Sequence, residues 1–151
     1  MKKYITKNQK ETFDLGKNIA NTLKGGEVVA LYGNLGAGKT TFTTGLVNNF
    51  IPAKRVLSPT FIIVRHYYPK NKLINHIIHA DLYRLNNIKE IEELGLSEFF
   101  GMPKTVVLIE WADKMKHLLP ENRTDIFFNF KSEITREINI KNLKIKSLKI
   151  D

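Results

Sequence analysis

The sequence predicts an α/β fold of three layers, with a mixed central sheet that is parallel at its core and antiparallel at its margins. Three observations predict it. Two short runs, 27–32 (EVVALY) and 105–110 (TVVLIE), are almost wholly apolar, the mark of strands buried on both faces. The first is followed by a glycine-rich loop and then by a helix-forming run. The segments around them are β-branched and aromatic and are punctuated by turn residues, as antiparallel strands are.

Each element follows in chain order. Asn8 with Glu11 three residues on is a variant of the capping box, and Phe13, Leu15, Ile19, Ala20 and Leu23 recur at roughly helical spacing. Gly25 and Gly26 stop that helix, and the 27–32 strand begins. Residues 39–50 (KTTFTTGLVNNF) predict a second helix, ended by Pro52. Residues 61–68 and 73–83, joined by the turn-forming PKNK, predict an antiparallel hairpin. Residues 87–100 predict a short amphipathic helix with Gly95 near its end, and 105–110 the second buried strand. DIFFNF (125–130), EITREINI (133–140) and LKIKSLKI (143–150) predict two or three closing strands. There is no internal repeat, low-complexity linker or composition break, so one domain is expected over 1–151.

Composition narrows the function classes. A chain of 151 residues can bury a real core, and 42% hydrophobic with 26% charged residues is globular in type. No apolar run is long enough to span a bilayer, and no apolar core follows the N-terminal lysines, so neither a membrane anchor nor a secretory signal is expected. The absence of cysteine excludes disulfides and thiolate metal sites and fits a reducing, cytoplasmic setting. His66, His76, His79 and His117 are scattered and make no H-x-x-x-H or H-E-x-x-H pattern, which argues against zinc. The formal charge of +9 attracts nucleotides, nucleic acid and acidic proteins alike; a chain-wide Lys, Asn and Ile bias explains it equally well.

One stretch carries chemistry. Residues 33–40 (GNLGAGKT) match G-x-x-x-x-G-K-[ST] between a predicted strand and a predicted helix. Gly33 permits a tight exit from the strand, and Gly36 and Gly38 let backbone N–H groups face phosphate oxygens. The helix N-terminus adds partial positive charge. In this pattern Lys39 reaches the β- and γ-phosphates, and the Thr40 hydroxyl binds the Mg²⁺ that bridges them. Chance matches occur on glycine-rich turns, but they do not require the flanking strand and helix. A P-loop NTPase-like protein holding a nucleoside triphosphate follows.

Such a site needs an acidic anchor at the end of a neighbouring apolar strand. Glu110, closing TVVLIE, supplies it, although Asp is more usual there. Trp111, the only tryptophan, follows directly and is a candidate gate for the nucleotide. Ser58 and Thr60 flank a proline in SPTF, a stiff turn whose hydroxyl could meet a γ-phosphate. HADLYR (79–84) places His79, Asp81 and Tyr83 on one face of a strand and Arg84 on the other. Alone, each is a turn or strand end; together with the loop they offer a γ-phosphate sensor and a second acid.

GNLGAGKTTF, SPTF, HADLYR and LIEW, in this order and spacing, resemble the bacterial TsaE family, also called YjeE, over nearly the whole chain. That family is the ATPase component of the machinery that makes threonylcarbamoyladenosine (t6A) at position 37 of tRNAs reading codons that begin with A. The resemblance implies ATP binding through Gly36, Ala37, Gly38, Lys39, Thr40 and Thr41, and Mg²⁺ binding through Thr40 and Glu110. It implies that Asp81 and Thr60 are needed for turnover, with Lys39 and Glu110. It sets Trp111, Arg136 and Gln9, with neighbouring Thr12, at the nucleotide. It implies partners, TsaD, which transfers threonylcarbamoyl, and its non-catalytic paralogue TsaB, with tRNA reached through their complex. ATP hydrolysis is expected to be slow without them and to reset that complex. Asn34 stands where Asp is common, at a position read as facing outward. Ala112–Asp113 stands where Pro or Ala followed by Glu is frequent, which keeps the acid.

The alternatives are a GTPase-type protein, a small-molecule kinase and a module that only holds ATP. The nearest approach to the guanine-reading N-K-x-D is NKLI (71–74), which lacks the acid, and no D-x-x-G switch is present. Residues 87–100 are too short and too acidic to form a kinase's basic lid.

Overall fold

The structure is a computed structural model that describes residues 1–56 and 62–143. Its seven-stranded sheet has the spatial order β1-β7-β6-β2-β5-β4-β3. The strands are β1 (Lys2–Thr6), β2 (Val28–Tyr32), β3 (Val64–Tyr67), β4 (His76–Asp81), β5 (Thr105–Glu110), β6 (Thr124–Phe130) and β7 (Arg136–Lys141). The inner four, β6, β2, β5 and β4, are mutually parallel. β3 joins one margin antiparallel, and β7 with β1 joins the other. The predicted mixed sheet, its parallel 27–32/105–110 pair and its antiparallel hairpin are all present.

Helices α1 (Gln9–Ala20) and α2 (Lys39–Phe50) cover one face. β2 splits its side chains between two cores as a pleated strand must. Val29 and Leu31 join Leu15, Ile19, Phe42 and Leu46 beneath these helices. Val28 and Ala30 join Ile78, Val107, Ile109 and Ile91 on the other face. There the cover is α3 (Ile88–Glu93) and two single 3₁₀ turns, Leu96–Phe99 and Ala112–Met115.

The α1–α2 crossing is a backbone contact. A Cβ built on Gly16 would lie 2.1 Å from the Phe42 carbonyl oxygen, and one on Gly45 would lie 2.0 Å from that of Phe13. Glycine on each helix lets the axes approach, and this close seat holds the start of α2 against the start of α1. The predicted cap at Asn8 is present, its Oδ1 accepting the Glu11 N–H at 2.8 Å. Glu11 returns the bond to the Lys7 N–H at 2.7 Å, one residue ahead of the usual box partner.

Three expectations change. The N-terminus forms β1 rather than leading straight into a helix, pairing with β7 from Lys2↔Ile140 to Thr6↔Arg136. The 87–100 helix is two pieces, because Gly95 takes a left-handed conformation (φ 66°) between α3 and the next turn. The 79–84 segment leaves the strand at Asp81, whose Oδ1 accepts the Tyr83 N–H at 3.0 Å and turns the chain. Tyr83 therefore does not share a strand face with His79 and Asp81. Ser58, Thr60 and almost all of 143–150 lie outside the described residues. Among the described residues no helix is long and apolar enough to cross a membrane.

Candidate functional site

The site is built by register. Leu31 on β2 lies beside Glu110 on β5, and Glu110 lies beside Asp81 on β4. The three residues make one row across the carboxyl ends of adjacent parallel strands, the edge where open α/β sheets take ligands. The glycine loop leaves β2 just beyond Leu31. It therefore arrives beside both acids.

Gly33 (φ 149°) and Gly38 (φ 106°) shape the loop. At Gly33 a Cβ would sit 2.7 Å from the Phe128 carbonyl oxygen, so a larger residue has neither the conformation nor the room. Gly38 ends the loop as the N-cap of α2 and offers no side-chain cap. The first N–H groups of a 12-residue helix are thus left facing the loop, where an oxyanion can take them. Asn34 is exposed, as expected for an outward position.

Lys39 is almost buried, at 4% exposure. Its Nζ donates to the carbonyls of Gly33 and Asn34, the latter at 3.0 Å, and lies 4.4 Å from the centre of the Trp111 ring. Burial lowers its pKa, while the Glu110, Asp81 and Asp113 carboxylates oppose that shift. Among the described residues the ammonium has no carboxylate within ion-pair distance, so an incoming anion would meet a cation with unspent attraction.

Thr40 Oγ1 donates to Glu110 at 3.2 Å from each carboxylate oxygen. Glu110 is 2% exposed, and His79, fully buried, holds its Oε1 at 2.8 Å from Nε2. A hydroxyl and a carboxylate side by side, with no soft atom, fit a small hard cation that keeps most of its shell as water and phosphate. Cis ligands of an octahedral Mg²⁺ lie roughly 3 Å apart at its usual bond lengths, close to the oxygen separation seen here.

Trp111 takes the left-handed region (φ 58°) directly after β5. That uncommon conformation for a bulky residue turns its ring back over Lys39 and against Tyr83, 5.1 Å away. Lys114 pins the turn beneath, donating to the carbonyls of Tyr83 at 2.6 Å and Leu85 at 2.8 Å. A cavity of about 330 Å³ runs along the loop from Gly36 to Thr41 and is closed by Asp81, Tyr83, Glu110 and Trp111. A second of about 330 Å³ lies across the loop, lined by Gln9, Thr12, Gly38, Thr41 and Arg136.

The structure thus gathers Gln9, Gly36, Ala37, Gly38, Lys39, Thr40, Thr41, Asp81, Glu110, Trp111 and Arg136 around one loop. Arg136 reaches it from β7, 100 residues away, donating to the Gly36 carbonyl at 3.3 Å with its guanidinium 4.3 Å over the Phe130 ring. Thr60 lies outside the described residues. Sequence reading did not single out Lys114, whose two shortest bonds go to backbone carbonyls. It noted His79 only as a neighbour of Asp81; the alternation that put both on one face was the available signal.

Fold and loop together define a mixed-sheet α/β protein organised around a glycine-rich strand–loop–helix junction, with a hydroxyl–carboxylate pair at its mouth. A family model described as "Threonylcarbamoyl adenosine biosynthesis protein TsaE" matches residues 6–138. The chain belongs to the TsaE family. It is 39% identical over 136 residues to the tRNA threonylcarbamoyladenosine biosynthesis protein TsaE of Bacillus subtilis, covering 90% of this chain and 82% of that one. The protein of the same name from Rickettsia bellii is 36% identical over 139 residues, covering 91% and 93%. The crystal structure of Bacillus subtilis YdiB superposes with a TM-score of 0.73 at 34% identity, over 91% of this chain and 82% of that one.

Proposed function

We propose that this chain binds and hydrolyses ATP with Mg²⁺, in the cytoplasm, as the ATPase of t6A formation at position 37 of tRNAs reading ANN codons. It acts on a complex of TsaB and TsaD and reaches tRNA through them. The observation that carries the reading is the Thr40–Glu110 contact, 3.2 Å, at the head of the helix that the glycine loop opens. The pathway is supported by family membership and by the names its relatives carry.

In this reading the N–H groups from Gly36 to Thr41 cradle the phosphates. Lys39 leaves the carbonyls of Gly33 and Asn34 to meet the β- and γ-phosphates. Thr40 and Glu110 hold the cation, which when bound neutralises the charge that develops on the phosphates. Asp81, one strand over from Glu110, orients the attacking water, and Thr60 senses the γ-phosphate. Trp111 and Tyr83 keep bulk water from one wall, and Gln9 and Arg136 frame the nucleoside end.

The test is phosphate release from ATP, with no acceptor added, with and without the TsaB–TsaD pair. Slow Mg²⁺-dependent release, stimulated by the pair and accompanied by association, is expected. Strict dependence on an acceptor hydroxyl would favour a kinase, and loss of both stimulation and association would sever the chain from this pathway.

A further inference from the structure

His79 is the one histidine with no solvent exposure. It sits on β4 two residues before Asp81, on the same face, with Leu108 of β5 beside it in the register. Its Nε2 is 2.8 Å from Glu110 Oε1. A carboxylate only accepts, so the proton is on Nε2 and the imidazole donates. Its Nδ1 is buried and has no hydrogen-bond partner among the described residues.

That arrangement is costly for a core position. A buried ring nitrogen without a partner gives up its water and gains no bond in return, and an apolar residue like the nearby Ile77, Ile78 or Leu108 would avoid that cost. Its effect is on Glu110. The terminal carboxylate torsion of a glutamate is broad and intrinsically loose. Thr40 cannot fix it, being equidistant at 3.2 Å from both oxygens. Among the described residues, only the bond from His79 distinguishes the two oxygens, anchoring Oε1.

Resting on the reading of Thr40 and Glu110 given above, we infer that His79 is a positioning residue that sets the orientation of the Glu110 carboxylate and thereby the Mg²⁺ affinity of the nucleotide complex. It touches neither nucleotide nor metal. Groups that orient metal ligands in this way are worth about 10–100-fold in metal affinity.

The experiment is calorimetric titration of the whole chain with ATPγS at graded MgCl₂, in His79→Leu, His79→Gln, Glu110→Gln and the His79→Leu/Glu110→Gln pair. Leucine keeps the volume and removes the donor; glutamine keeps an N–H at similar reach. His79→Leu is expected to raise the Mg²⁺ concentration for half-effect about tenfold, leaving Mg²⁺-free affinity within about twofold. His79→Gln should return it to within about threefold, and in the Glu110→Gln background His79→Leu should add nothing. An unchanged Mg²⁺ dependence in His79→Leu, or a further loss in the Glu110→Gln background, overturns the proposal. If the leucine variant does not fold, a tenfold loss in a folded His79→Gln overturns it equally. Absence of any Mg²⁺ effect in the unaltered chain removes the cation itself, a failure of the underlying reading visible before any variant is made.

Discussion

The Thr40 hydroxyl and the Glu110 carboxylate, 70 residues apart in sequence, stand 3.2 Å apart at the carboxyl edge of the parallel strands. If this pair holds Mg²⁺, Glu110→Ala lowers ATP turnover on the order of 100-fold, about 2.7 kcal/mol of barrier. Nucleotide binding in EDTA stays close to that of the unaltered chain. Phosphate-release rates and calorimetry would show both, and undiminished turnover would remove Glu110 as the anchor.

Lys39 carries a pH prediction. Burial holds its pKa down in the nucleotide-free chain, and phosphate oxygens at the ammonium would raise it. The pKa is then higher in the complex than in the free protein. Triphosphate affinity is therefore full below the free-protein value and declines as pH rises through it toward the bound value. Lys39→Ala should weaken binding and flatten that decline; unaltered affinity would take the loop out of the site.

Arg136 should matter to the nucleoside end. Its guanidinium stacks over Phe130 and reaches the Gly36 carbonyl, beside the cavity that Gln9 and Thr12 line. Arg136→Ala is expected to weaken ADP binding about tenfold, or 1.4 kcal/mol. Lysine should recover only part of it, because it lacks the planar fork. Equal affinity of all three forms in a fluorescence titration would place the nucleoside elsewhere.

The glycine contacts of α1 and α2 are structural. Overpacking a well-filled contact costs roughly 1–3 kcal/mol, and the backbone oxygens near 2 Å here put Gly16→Ala and Gly45→Ala at or beyond the upper end. For a chain of this size a fall of roughly 5–10 °C in Tm follows. Scanning calorimetry checks it, and a Tm within 1 °C of the original, taking roughly 1 °C as the working error, would mean the helices slide apart freely.

Glu137 on β7 ties the sheet margin. Bonds from Lys3 of β1, then Asn139 and Lys131, hold its carboxyl down to about 2 from an ordinary 4.5. A carboxylate lowered in the folded state stabilises above its unfolded pKa and loses that contribution as pH falls through the folded value. Urea midpoints should therefore drop between about pH 4.5 and 2 more steeply than in Glu137→Gln. Parallel curves for the two would show that this tie contributes nothing.

Legibility followed the range of the interactions. The two buried strands and α2 could be read because apolar runs, helical periodicity and glycine are local signals. β1 was missed because KKYIT has only Tyr4 and Ile5 to mark it, and Ile5 is 48% exposed; its lysines guard a sheet edge rather than signal a core. The 87–100 segment kept a helical pattern across Gly95, whose positive φ breaks the backbone without breaking the pattern. Tyr83 was misplaced because the Asp81 side chain turns the chain, and alternation cannot register a turn that one hydrogen bond makes.

The amino-acid sequence by itself determined the glycine-rich strand–loop–helix junction at residues 33–41, the cap at Asn8, the apolar strand that ends in Glu110 and the family resemblance. All of these are written in contiguous residues. The tertiary structure decided that Glu110 stands 3.2 Å from Thr40, that His79 lies against Glu110 and that Arg136 arrives at Gly36. Those contacts depend on strand order and register, and both come from burying two faces of one sheet at once, a condition no single segment contains.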